Sequence, residues 1–197
     1  GREQRLAGRG GSQHTYLPPP VVERVLRWAR ALSPSARGKQ RHLFRCAVAV
    51  VLNFVLFARG ATGAAMQAAD VKRSTAAGTV ISLRSEKGRG HRTTARTLTL
   101  PPDAVPGLED LLVTWEQLRG AAAEGGSYWA LPGEGRFPSA QVDSWLQDIL
   151  RHLGESPPDG QTWSGHSLRK GAASGANAID VSLTKICWCG GWSIQSR

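Results

Sequence analysis

The run from Cys46 to Ala58, CAVAVVLNFVLFA, is apolar at every position except Asn53. A helix that is apolar all round has no solvent side, so other elements must cover it. At 13 residues it is too short to cross a bilayer, which needs about 20. The run therefore predicts a buried core helix, begun near Gln40, with the rest of the chain wrapped around it.

The flanking patterns supply the cover. PPP at 18–20 starts a helix whose apolar face is Val21, Val22, Val25, Leu26, Ala29 and Leu32, with Arg24, Arg27 and Arg30 outside. A short helix is expected from about Thr62 to Ala69. TVISLR (79–84) and RTLTLP (96–101) change to the alternation of strands, joined by the basic tip SEKGRGHRTTA. Leu108, Leu111, Leu112, Trp115 and Leu118 mark one amphipathic helix, and Val142, Trp145, Leu146, Ile149, Leu150 and Leu153 another. Two last helices are expected over 167–179 and 183–189. There is no internal repeat. The fold class is mainly α with a small antiparallel β-sheet. Residues 1–17 read as a disordered basic head and linker, and 18–197 as one domain.

The formal charge of +10 narrows the partners to anions, nucleic acid first. It is unevenly spread. Residues 1–100 carry 18 Lys/Arg against 4 Asp/Glu, residues 101–165 carry 3 against 10, and 166–197 carry 4 against 1. That order suggests one face for a polyanion and a back turned away. Arg outnumbers Lys 20 to 5, which suits bidentate phosphate contacts. Of the three cysteines, Cys46 lies in the core run, and Cys187 and Cys189 lack a second pair at ligand spacing, so no metal site is expected. With no signal peptide evident, the chain reads as intracellular, and nuclear if eukaryotic. It starts with Gly and its single Met is Met66, so it reads as a piece of a longer product.

WSGHSLRKGAASGANAI, from Trp163 to Ile179, sets His166 and Arg169 three residues apart at a helix start, where they share one face. The helix dipole and its end amides favour an anion there, Arg169 adds a cationic fork, and His166 offers a proton donor or acceptor. The small residues behind them, Gly171 to Ala176, let other segments approach closely. Alone, the pair also fits an ordinary surface pair.

SGHSLRKGAASGANAIDVSLTKICWCGGWS resembles the catalytic core of the tyrosine recombinases, the phage-integrase superfamily, in which a His-x-x-Arg is followed about 23 residues later by a Gly-Gly-Trp or Gly-His step. Here Trp192 lies 23 after Arg169. HSLRKGAA…GGWS is similar in particular to the recombinases of eukaryotic DIRS-like retroelements. LFARGATGAAMQAADV resembles the segment with the family's first catalytic arginine, which places Arg59 eleven residues before Asp70. Phe-Ala-Arg and Thr62 stand where the family often has Gly-Leu-Arg and Glu. Lys87 in RSEKGRGHR matches the family's lysine on a basic β-turn. The resemblance covers roughly residues 20–197 and implies the tyrosine-recombinase (DNA breaking-rejoining) catalytic-domain fold.

Its chemistry suits these residue types. Two guanidinium forks, Arg59 and Arg169, neutralise the non-bridging oxygens of a phosphodiester as charge develops. The family implies that Lys87 protonates the leaving 5′ oxygen and that His166 assists proton transfer at the nucleophile. Trp192 can donate its indole N–H to a phosphate oxygen or serve as core alone. Arg84, Arg89, His91, Arg92 and Lys170 are the candidate DNA contacts. No cofactor or metal is expected, because a phosphotyrosine link keeps the bond energy. The partners implied are duplex DNA and other recombinase subunits on it, with no membrane. The family's nucleophile falls about nine residues after the Trp position, near 201. Tyr16 and Tyr128 lie elsewhere, so the fragment is expected to be inactive by itself. A non-catalytic DNA-binding remnant of a mobile element, and an unrelated basic helical module for RNA or protein, stay open beside a recombinase.

Overall fold

The structure, a computed structural model, describes residues 13–32, 37–74, 76–84, 95–120, 126–131, 134 and 141–192. The apolar run forms the C-terminal part of α2 (Lys39–Val55), in which every residue from Leu43 to Asn53 is buried. Helices α1 (Pro19–Arg30), α4 (Leu108–Arg119), α5 (Gln141–His152) and α6 (Gly165–Ala178) pack against it, as does the short α3 (Gly60–Ala64). α7 (Leu183–Gly190) rests on α6. No described helix is long and apolar enough to cross a membrane.

α2 stops at a backbone event. Phe57 takes a left-handed conformation, φ 52°, which costs a bulky residue energy and turns the chain out of the helix. α3 then ends early. A Cβ on Gly63 would fall inside 3.0 Å of the Asn53 amide, so this helix lies directly on α2. The expected helix over 62–69 breaks at Ala65 because the following backbone finds other partners. Tyr128 N–H donates to Met66 O at 2.9 Å, and Ala68 N–H to Gly126 O at 2.9 Å. Residues 68–70 tighten into a 3-10 turn, Gln67 N–H donating to the Asp70 carboxylate at 2.9 Å.

The sheet has three strands, one more than the sequence shows: β2 (Val71–Ser74), β3 (Gly78–Leu83) and β4 (Arg96–Leu100), antiparallel in that order. β2, VKRS, has too few apolar residues to be seen by alternation. It is held from outside, because Arg73 bridges Glu109 at 2.7 Å and Glu116 at 2.9 Å on α4. Thr79 Oγ1 also donates to Glu109, at 2.9 Å.

An aromatic cluster holds residues 126–131. Phe44, Trp115, Trp129 and Trp145 lie in succession with ring centroids 6.5, 6.4 and 5.6 Å apart. All four are fully buried. Trp129 Nε1 donates to Gly63 O at 2.6 Å and Trp115 Nε1 to Tyr128 O at 3.2 Å, so these two indoles also meet their polar needs.

The head expected over 1–17 meets an ordered strap in its last five residues. Gln13–His14 (β1) pairs in parallel with Gln161–Thr162 (β5), and Leu17 N–H donates to Ser167 O at 2.9 Å. The strap explains the thin helix behind Arg169. A Cβ on Gly171 would fall inside 3.0 Å of Leu17 O, and one on Gly175 would stand 2.9 Å from Pro19 Cγ.

Candidate functional site

Three helix starts meet at one place. Arg59 is the residue before α3, Val142 and Asp143 lie in the first turn of α5, and Gly165 and His166 open α6. A Cβ built on Gly165 would stand 3.2 Å from Gly60 Cα, and one built on Gly60 would stand 3.7 Å from Val142 Cβ. Backbone lies against backbone here, so Arg59 sits beside the first residue of α6 despite its distance in sequence. Arg169 follows Gly165 by four residues and shares its face of the helix. Arg59 thus adjoins the start of the helix that carries Arg169.

His166 is exposed in the first turn of α6, and Lys170 is exposed one turn on. The end of this helix is not open to an anion as the sequence suggested. Gly165 N–H donates to the Asp143 carboxylate, His166 N–H to Ser164 Oγ at 3.3 Å, and Ser167 N–H to Ser164 O at 2.8 Å. Ser167 Oγ accepts from Ser164 N–H at 3.0 Å, which completes the cap. An anion bound here would meet side chains, not helix amides. Nothing in the sequence signals the role of Asp143, because its partner lies on another helix.

The Gly-Gly-Trp step has a physical account. Gly191 takes φ 63° at the end of α7, a left-handed C-cap that glycine adopts without strain. It turns the chain back so that Trp192 N–H meets Cys187 O at 2.8 Å. Gly190 has no side chain, and a Cβ there would strike the Trp192 indole. The indole instead covers Arg169, whose Cζ lies 4.1 Å from the ring centroid. Arg169 Nη2 donates to Gly190 O, and the residue is only 4% exposed. Trp192 thus packs and touches Arg169 at once.

Arg84 lies just past the end of β3, with its Nε donating to the buried Asp70 carboxylate while 62% of its side chain is exposed. Lys87, Arg89, His91 and Arg92 lie outside the described residues. Tyr128 is 1% exposed, and burial pushes its phenol well above the usual range. Tyr16 sits on the strap, which covers the Ser167–Gly171–Gly175 stripe of α6, away from the Arg169 face.

A second cluster of polar groups lies on α2 and α5. Ligand atoms of His42, Cys46 and Asp148 fall within 4.8 Å of one another. Arg45, a donor only, lies 3.0 Å from His42 Nδ1, which assigns the ring proton to Nε2, facing Asp148 at 3.0 Å. Burial and the Asp148 charge push the Cys46 thiol up to about 12. A metal would need the lone pair that Arg45 turns away, so this donor set fits a hydrogen-bond chain.

No protein-family model matches the sequence, and no curated protein is similar to it in sequence. Solved structures are similar to it in fold. The XerA recombinase superposes at TM-score 0.66 with 15% identity, covering 93% of this chain and 56% of that one. The XerH site-specific recombinase in its pre-cleavage complex with difH gives 0.64 and 14%, covering 92% and 48%. The fold is that of the tyrosine recombinases. The Tn1549 transposon integrase with transposon right-end DNA gives 0.57 and 13%, covering 91% and 58%. The chain thus spans about half the length of these structures. The tyrosine-recombinase fold agrees with the expected fold class, mainly helical with one small antiparallel sheet.

Proposed function

We propose that the chain is the DNA-binding and phosphate-activating part of a tyrosine recombinase, derived from a mobile element of the DIRS-like kind. The observation that supports this is the close approach of Gly60 to Gly165, the neighbour of Arg59 lying against the first residue of the helix that carries Arg169. Two guanidinium forks there suit one phosphodiester in duplex DNA. The DNA complexes of the XerH recombinase and the Tn1549 integrase support the same partner.

In this reading a tyrosine hydroxyl attacks phosphorus and gives its proton to His166. The bond to the 5′ oxygen breaks, Lys87 protonates that oxygen, and a 3′-phosphotyrosyl link retains the energy for rejoining. Arg59 and Arg169 balance the charge on the non-bridging oxygens. Trp192 keeps Arg169 in place and offers an indole N–H to the same phosphate. Arg89, His91, Arg92 and Lys170 contact the DNA backbone, while Arg84 adds charge beside Asp70. Neither described tyrosine suits the attack, so the nucleophile is assigned to a residue near position 201 of the native product, or to a neighbouring subunit.

The test extends the chain through its native reading frame and incubates it with nicked suicide DNA. A covalent 3′ adduct is expected, lost on changing the new Tyr to Phe and strongly reduced by Arg169→Lys, which keeps charge but not the fork. The chain of 197 residues should bind duplex DNA with little sequence preference and a steep salt dependence. Binding without any adduct from the extended protein would replace the enzyme by a DNA-binding remnant. Binding insensitive to salt would remove DNA as the partner.

A further inference from the structure

Two side chains one turn apart on α5 grip both ends of the turn that opens α6. Asp143 and Gln147 are four residues apart and so share a face of their helix. The Asp143 carboxylate accepts from Gly165 N–H, and Gln147 Nε2 donates to Trp163 O at 2.6 Å. The amides of His166 and Ser167 find their partners at Ser164, so of these three only the Gly165 amide relies on another element. The grip stands on a fixed base, because Trp145, Leu146, Ile149 and Leu150 bury another side of α5 in the core. It is also tight. A Cβ on Gly165 would stand 3.1 Å from Asp143 Oδ1 and 3.2 Å from Gly60 Cα. His166, the next residue, is exposed.

We infer that Asp143 and Gln147 are positioning residues for His166, holding the backbone from which its imidazole takes the proton of the attacking tyrosine. This deepens the recombinase reading and rests on it. A proton acceptor works only within hydrogen-bond reach of the hydroxyl it serves, and a misplacement of about 1 Å can cost about 100-fold in rate. A residue in the first turn of a helix is poorly suited to such precision, since helix ends fray. The two contacts offset this. They fix Trp163 O and Gly165 N–H, on either side of Ser164, and so set both the place and the direction of the chain as it enters His166. One contact alone would leave the turn free to pivot. Arg169 has supports of its own in Gly190 O and the Trp192 ring. Loss of the grip should therefore weaken proton transfer more than phosphate binding.

The test asks whether these residues act through His166. The native full-length protein is given nicked suicide DNA at saturating concentration, and the rate of 3′ adduct formation is measured alongside the Kd for the same duplex. Asp143→Ala and Gln147→Ala are each expected to slow adduct formation about 10- to 100-fold and to change Kd less than about 3-fold. Both side chains lie at the surface, so neither change opens the core. Gln147 carries no charge, so its variant separates geometry from the electrostatics of DNA binding, and it carries the test alone should Asp143→Ala fail to fold. Asp143→Asn, which keeps an acceptor for the Gly165 amide, should recover most of the loss. The deciding measurement repeats both changes in a His166→Ala background. There each should slow the remaining reaction less than about 2-fold, because changes that act through one group do not add. The full loss persisting in that background, or parental rates for both single variants, would overturn the positioning role and leave the recombinase reading standing. Failure of the unaltered protein to form any adduct would overturn the recombinase reading and this inference with it.

Discussion

Gly171→Ala tests the packing of the strap on α6, and it does so through the sign of its effect. Glycine inside a helix is less favourable than alanine by about 1 kcal/mol, so propensity alone makes this change stabilising. The structure opposes that. The added methyl would fall inside 3.0 Å of Leu17 O, a backbone atom that can move only if the strap moves. Displacing the strap sacrifices the Leu17 N–H bond to Ser167 O, about 1 kcal/mol. It also uncovers part of the Leu17 side chain, which is fully buried and worth about 1.5–3 kcal/mol if wholly exposed. Set against the propensity gain, the net loss is about 1–2 kcal/mol, or about 2–4 °C in Tm for each kcal/mol. Urea titration followed by far-UV circular dichroism reads the midpoint directly. Gly175→Ala is the control, since its methyl meets only the edge of the Pro19 ring at 2.9 Å, and it should be close to neutral. A Gly171→Ala protein with an unchanged or higher midpoint would refute the reasoning.

Two further outcomes follow from the titrating groups. Cys46, buried and pushed up to about 12, should resist a thiol reagent in the native protein at pH 8, while the partly exposed Cys187 and Cys189 react first; mass spectrometry of the labelled peptides gives the order. The hydrogen bond from Arg24 lowers the Glu155 carboxyl below its ordinary range, so its stabilising effect is present above the unfolded carboxylate value of about 4.3 and is lost as pH falls through the lower folded value. Glu155→Gln should therefore lower the urea midpoint modestly at pH 7, match the parent in strong acid, and show a smaller effect in high salt; a gap that widens toward acid would contradict the pairing.

The sequence was legible where a signal is local. The apolar run of α2, the spacing of Leu111, Trp115 and Leu118, and the triple proline before α1 each state their structure within a few turns. The fold class followed from these. What escaped depends on partners far along the chain. β2 exists because Arg73 reaches Glu109 and Glu116 on α4. The helix expected through Ala69 gives way because Met66 and Ala68 pair with backbone beside Trp129. The cap on α6 is visible in Ser164 and Ser167, but its Asp143 partner is not. Glu109, in the acidic stretch 101–165, clasps the sheet through Arg73 and Thr79, which the sequence does not show.

The pairing of Gln13–His14 with Gln161–Thr162 has a consequence in time. During synthesis the strap emerges early and its partner late, about 150 residues apart, which at about 5–20 residues per second is a delay of about 8–30 s. Throughout that interval Leu17 has no cover and the glycine stripe of α6 does not yet exist. α1 and α2, adjacent in sequence, can dock long before. The helix that carries His166 and Arg169 is therefore among the last elements to be locked. A nascent or truncated chain would lack the helix that carries His166 and Arg169 until synthesis is nearly past it.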